Sequence, residues 1–306
     1  MYSSPLCGAL GSFRKEGKMY VIKVEVEMLE IEPLLEMVRL TLQTGYVKNT
    51  EAPVNLLLIA KPEHAKTSAM AAFKIKGTYT TNNITQAVII SKILPMIENE
   101  GLKHLIIPDL LNAIEKDYTT RKGFLNLIKT LMEEGITSLD TFNLRTHKVY
   151  NPPIKCGLIT GTTSESYRGY YDTTEKRWKG GVKYEWKKIG LLSRFVPFSY
   201  EYEISKIHRI FKFIENEERQ ETPKQTRAIK RRMVDVKGNP ELFAKLEILS
   251  LKLGQDAGGY GLRMQRNFQV LVKANAILNE RKEVAQEDID AVLRLGNWIN
   301  DRFNPL

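Results

Sequence analysis

Between residues 54 and 60 the chain runs Val-Asn-Leu-Leu-Leu-Ile-Ala, an apolar stretch broken only by Asn55. A run this short and continuous predicts a strand buried on both faces, as in parallel sheets covered by helices. Leu105-Ile106-Ile107, closed by Pro108-Asp109, reads as a second such strand, and Gly157-Leu158-Ile159-Thr160 as a third, followed by a polar turn from Gly161 to Glu165. Helical spacing of Leu34, Leu35, Val38 and Leu42 predicts an amphipathic helix over 29–42, with Gly45 suited to stop it.

Past Tyr202 the pattern becomes helical only. Met264, Phe268, Leu271 and Leu278 share one helical face, and Ile289, Val292 and Leu293 another. The chain therefore divides into an N-terminal extension (1–28), an α/β core (29–202) and an all-helical segment (203–306). No low-complexity linker separates the last two, so they are expected to pack closely and to share a site at their junction. Strands alternating with helices place a ligand at the carboxyl ends of the strands.

Composition narrows the function. At 306 residues and 42% hydrophobic content the chain can bury a sizeable core. No apolar run approaches the roughly 20 residues of a membrane helix, so no membrane span is expected. Cys7 and Cys156 are the only cysteines, and the four histidines lack metal-ligand spacing, which disfavours a disulfide framework and a zinc enzyme and fits the cytoplasm. The net charge of +10 favours an anionic partner. Half of that charge lies in 222–238, where Lys224, Arg227, Lys230, Arg231, Arg232 and Lys237 face the single acid Asp235.

The turn after the first strand carries the candidate chemistry. Ala60-Lys61-Pro62-Glu63-His64-Ala65-Lys66-Thr67, continued by Ser68, keeps the spacing of the phosphate-binding loop G-x-x-x-x-G-K-[ST]. Such a loop turns backbone N–H groups toward an anion, sends a lysine to the outer phosphates and offers a hydroxyl to magnesium. Alanine stands at both glycine positions, where a β-carbon hinders tight turns and close approach. Taken alone, the segment serves equally as an ordinary strand-to-helix loop.

In order along the chain, LLLIAKPEHAKTSAM, Pro108-Asp109, GLITGTTSE, Gly190-Leu191-Leu192-Ser193-Arg194-Phe195 and Gly259-Tyr260-Gly261-Leu262-Arg263 resemble the successive motifs of AAA+ ATPases, most of all the minichromosome-maintenance and MoxR groups. The resemblance implies a P-loop NTPase core of the AAA+ type, a parallel sheet flanked by helices, followed by a helical lid. It implies ATP and Mg2+ as ligands. Lys66, Thr67 and Asp109 would then hold phosphate and metal, Thr160 or Thr162 would sense the γ-phosphate, and Arg194 would reach a neighbouring subunit's nucleotide. Arg263, or Arg266 one turn on, would be the lid's phosphate contact. Leu110 stands where these enzymes carry the glutamate that polarises water. Asp109 serves equally as a helix cap, and the threonines as turn residues.

The resemblance also implies a ring-shaped homo-oligomer, expected to be hexameric, that grips DNA or polypeptide. Arg145, His147 and Lys148 precede the third strand, where related helicases carry a pore hairpin. Residues 167–188 mix aromatic with basic side chains, Lys179 and Lys183 among them, and suit nucleic acid or an amphipathic hairpin equally. Lys230, Arg231 and Arg232 are further DNA candidates. Three functions follow: a DNA-acting ATPase, an inactive pseudo-ATPase serving as a DNA-binding or assembly module, and a protein-remodelling chaperone.

Overall fold

The structure is a computed structural model and describes residues 31–73, 75–82, 84–111, 118–141, 146–172, 177–215 and 229–306; the 1–28 extension lies outside them. Ten strands are described, of which six form one parallel sheet: β1 (Leu56–Ala60), β2 (Thr78–Thr80), β3 (His104–Ile107), β6 (Gly157–Thr163), β9 (Val196–Glu201) and β10 (Asn304–Pro305). Their order is β10-β9-β1-β6-β3-β2. Two hairpins stand apart from it, β4 (Ile136–Thr141) with β5 (Thr146–Ile154) and β7 (Gly169–Asp172) with β8 (Arg177–Gly180).

The side-chain alternation of β1 divides the core. Leu56, Leu58 and Ala60 face one apolar cluster, shared with the Glu32–Thr44 and Leu262–Leu278 helices. Leu57 and Ile59 face the other, shared with the Tyr118–Met132 helix. All five are fully buried, as the unbroken apolar run requires. Asn55, the one polar interruption, is 4% exposed and acts as a pin: its Oδ1 accepts from Leu158 N at 2.8 Å and its Nδ2 donates to Arg194 O at 3.1 Å.

Several sequence expectations shift. The first helix spans Glu32–Thr44, and Gly45 ends it with φ −64°, an ordinary right-handed value. Glycine is needed there for proximity, since a β-carbon would lie 2.7 Å from Lys103 Cβ and 3.1 Å from the His104 ring. The expected turn at 161–165 is instead strand through Thr163, then the short helix Ser164–Arg168 capped by the Thr163 hydroxyl. The stretch 203–306 is not wholly helical: β10 returns to pair with β9 as the outer strand of the sheet. Leu293 is 36% exposed, and Leu295 takes its place in the core. The C-terminal helices pack closely on the α/β core, as expected: Met264, Phe268 and Leu271 share one core with β1.

His104 opens β3 without any exposed surface, and burial drives its pKa down from 6.5 to about 3, against a smaller opposing pull from the Val54 backbone. The folded chain keeps this imidazole neutral while the unfolded chain takes up a proton below about pH 6.5. Stability is therefore fully present above pH 6.5 and falls as pH drops toward 3, by up to about 1.4 kcal/mol per unit from this group. Urea unfolding at pH 7 and pH 4.5 is expected to show a larger acid loss in wild type than in His104→Leu. Equal losses would show that His104 does not couple folding to pH.

Candidate functional site

The connection out of β1 runs toward the β2 edge and the connection out of β6 toward β9, so neighbouring strands send the chain in opposite directions. In such sheets the crevice lies beyond the carboxyl ends of those strands. The 61–65 turn, which opens the Lys66–Ala71 helix, stands there.

Two residues of this turn adopt left-handed backbone, Glu63 at φ 64° and Ala65 at φ 54°. Ala65 occupies the second glycine position of the motif, so the turn forms the conformation that position calls for despite its β-carbon, at a cost of roughly 1–2 kcal/mol. Contacts with the end of β9 secure it. Tyr200 Oη donates to the His64 carbonyl, and the His64 ring stacks on Tyr202 with centroids 4.3 Å apart and planes 12° from parallel. Lys61 pairs with Glu201 at 3.0 Å. Burial lowers the His64 pKa, against a smaller opposing pull from the Pro62 backbone, and so favours the neutral form of the stacked ring.

Lys66 turns back onto its own loop. Its Nζ donates to the Ala60 and Lys61 carbonyls, each at 2.7 Å. Burial brings its pKa down to about 8, with Asp109 and Glu165 pulling the other way. An ammonium carries three donors, so one remains for an anion. Its stem crosses the end of β6 over Gly161, where a β-carbon would lie 3.6 Å from Lys66 Cδ and 2.8 Å from the Pro108 carbonyl. Thr67 is exposed on the first helical turn, with Pro62 and Ser68 completing the segment.

The remaining predicted contacts are less well placed. Asp109 Oδ1 accepts from Leu111 N at 3.0 Å and so caps the turn that follows, while its charge reaches Lys66. Leu110 is fully buried in the core beneath the sheet, which removes the position where a polarising carboxylate would stand. Thr160 is a correction: its hydroxyl donates to Ile107 O at 2.6 Å between two strands with no exposed surface, so it cannot reach a phosphate. Thr162 shares its sheet face, opposite the Gly161 face that Lys66 crosses, and its buried hydroxyl has no partner among the described residues.

Arg194 and Arg263 lie at the other end of the sheet. Asn55, just before β1, holds the Arg194 carbonyl, and both arginines line a cavity with Asn55 and Pro53. The five residues of β1 span about 17 Å, so within one chain Arg263 does not meet Lys66. As the lid's phosphate contact, Arg263 would therefore meet a nucleotide held by the Lys66 turn of another copy. Glu133, which sequence reasoning missed, joins the pair: it bonds Arg263 Nε and lies 3.1 Å from Arg194 Nε. Glu134 adds a bond to Arg194 Nη2 at 2.8 Å. A paired Glu-Glu at the end of an apolar-periodic helix was the available signal.

Most of the described DNA candidates are engaged elsewhere. Lys148 pairs with Glu98, Lys183 with Asp301 and Lys230 with Glu280. Arg231 and Arg232 are exposed, with no ion pair among the described residues. Arg145 and the side chains of His147 and Lys179 lie outside the described residues. Residues 183–188 form a helix with Trp186 buried, not a hairpin strand. Among the described residues no cluster of His, Cys, Asp or Glu is arranged to hold a metal by itself, and no helix is long and apolar enough to cross a membrane. The chain matches no protein-family model and no curated protein.

Replacing Ala65 by glycine relieves the left-handed strain and is expected to raise stability by about 1 kcal/mol in urea unfolding. A loss of stability would mean that the turn is not strained.

Proposed function

We propose that the chain is a nucleotide-binding protein of the AAA+ type. ATP with Mg2+ would occupy the 60–68 turn of one copy, and Arg194 of the next copy in a ring would meet it. One observation carries the reading: the Lys66 turn and Asp109 stand at the carboxyl ends of β1 and β3, while Arg194 and Arg263 stand at the opposite end of the sheet. A single chain cannot close such a site on itself; head-to-tail copies can.

In this site the Lys66 ammonium would exchange loop carbonyls for phosphate oxygens, Thr67 and Asp109 would hold magnesium and its waters, and the guanidinium of Arg194 would neutralise charge on the outer phosphate. Magnesium in such a site would be held jointly by protein and phosphate oxygens. Hydrolysis is slow, because Leu110 withholds a water-polarising carboxylate whose help is typically worth roughly 10²–10⁴-fold. Buried Leu110 and the engaged Thr160 hydroxyl also favour a second reading, an inactive module that binds nucleotide only to assemble. DNA is the proposed substrate on the strength of the +10 charge and exposed Arg231 and Arg232.

Titration with ATP, followed by phosphate release with and without DNA, separates these readings. Lys66→Ala is expected to abolish ATP binding, and Arg194→Ala to keep binding while losing turnover. Retained affinity in Lys66→Ala would overturn the proposal. Bound ATP with no release under any condition would leave the inactive module, and release stimulated by peptide but not by DNA would favour a chaperone. Because only the charged lysine binds phosphate, ATP affinity is expected to hold below pH 8 and to fall above it, by up to about tenfold per unit. Affinity indifferent to pH between 7 and 9.5 would show that burial does not lower the Lys66 pKa in the folded chain.

A further inference from the structure

The loop after the Glu32–Thr44 helix, the residues that lead into β3 and β6, and the end of β5 enclose a groove of about 770 Å³. That is the liquid volume of roughly twenty-five waters, room for several side chains of a ligand. The groove shares the 49–53 stretch with the cavity that holds Arg194 and Arg263, but neither arginine lines it. Strand pairing sets its charge. His104 of β3 lies opposite Gly157 of β6, so Lys103 and Lys155, which just precede them, come to the same wall. Neither lysine has an ion pair among the described residues, whereas both acids of the groove are engaged, Glu51 with Arg266 and Glu98 with Lys148. Exposed Lys48, Arg231 and Arg232 adjoin the lining residues Val47, Asn49 and Met233 in sequence, and Asp235, the one acid of that stretch, accepts from Asn49 Nδ2 at 3.0 Å. Like charges held together repel, and an external carboxylate relieves that repulsion.

Aliphatic surface lies beside these cations. Val149 is 66% and Met233 39% exposed, and Pro152 and Pro153 stand open on the same strand as Val149. All four line this one groove, unlike the single apolar residues scattered over any protein surface. Stacking on bases, which single-stranded nucleic acid relies on, finds no platform here. Tyr150 is the one aromatic residue of the groove, 8% exposed, with the Lys148 ammonium 5.2 Å from its ring centre. Aliphatic side chains of a polypeptide need only the apolar surface. Among the described residues β5 pairs with β4 alone, which leaves its other edge open. Pro152 and Pro153 have no N–H to offer there, so a polypeptide is gripped by its side chains and not added as a strand. A second copy of the chain is a poor occupant, since every copy carries the same net charge of +10.

We infer that this groove is a docking surface for an acidic segment of another protein. The carboxylates of the partner meet Lys103 and Lys155, and its aliphatic side chains cover Val149 and Met233. Neither the 60–68 turn nor Arg194 takes part, so the inference does not depend on nucleotide binding.

The probe is a short fluorescein-labelled peptide of alternating glutamate and leucine, titrated with the full chain in the absence of nucleotide and followed by anisotropy. Binding is expected, and is expected to weaken at least about tenfold when serine replaces leucine in the peptide, the change that losing a buried aliphatic side chain brings. Lys103→Gln combined with Lys155→Gln is expected to weaken it at least about tenfold and to flatten its salt dependence. Val149→Ser combined with Met233→Ser is expected to weaken it to a similar extent while keeping the salt dependence. Should either pair unfold the chain, as read by its urea midpoint, the other pair still decides. No binding of the glutamate-leucine peptide, or binding indifferent to both pairs of substitutions, would overturn the inference. Tighter binding of labelled oligothymidine that weakens with the lysine substitutions would overturn it too, making the groove a nucleic-acid surface. So would sedimentation showing copies of the chain associated through Val149 and Met233. Because nucleotide is left out, each of these failures leaves the reading of the Lys66 turn untouched.

Discussion

Both faces of β1 are covered and its five residues have no exposed surface, so a one-residue slip would interchange two differently packed apolar rows and break both hydrogen bonds of Asn55. Everything of chemical interest hangs from its two ends. Ala60 leads into the turn that carries Lys66, and Asn55 fixes the carbonyl of Arg194. The rigid separation between those ends makes the two charged groups unable to serve one ligand within a single chain.

The turn itself balances strain against anchorage. Left-handed backbone at Glu63 and Ala65 is unfavourable for residues with a β-carbon, and the contacts of His64 with Tyr200 and Tyr202 hold it in place. Lys66 supplies the rest by bonding two carbonyls of the turn. A phosphate would have to compete with those bonds, but it would bring formal negative charge to a half-buried ammonium that now sees only dipoles nearby and more distant carboxylates. Across the sheet, the same logic governs Arg194 and Arg263, whose charges are met by Glu133 and Glu134 in place of an external anion.

Much of the core was legible in sequence because its signal is local. The continuous run 54–60 announced a doubly covered strand, and the spacing of Leu34, Leu35, Val38 and Leu42 announced the helix that packs against it. The motif spacing likewise located Lys66 at a strand's carboxyl end. What local pattern could not carry was long-range: β10 pairs with β9 through a return of more than a hundred residues, and Arg263 meets Glu133 across the fold. Thr160 misled for a related reason. Its position after an apolar run looked like a strand end, yet the strand continues through Thr163 and turns that hydroxyl toward β3.

The account turns on whether a triphosphate can take the Lys66 ammonium from the carbonyls of Ala60 and Lys61. A crystal structure of the chain with a non-hydrolysable ATP analogue and magnesium measures this directly. The expected result is a phosphate oxygen about 3 Å from Lys66 Nζ, with at least one of the two carbonyl bonds broken. A nucleotide bound elsewhere, with the lysine still folded onto both carbonyls, would contradict the account.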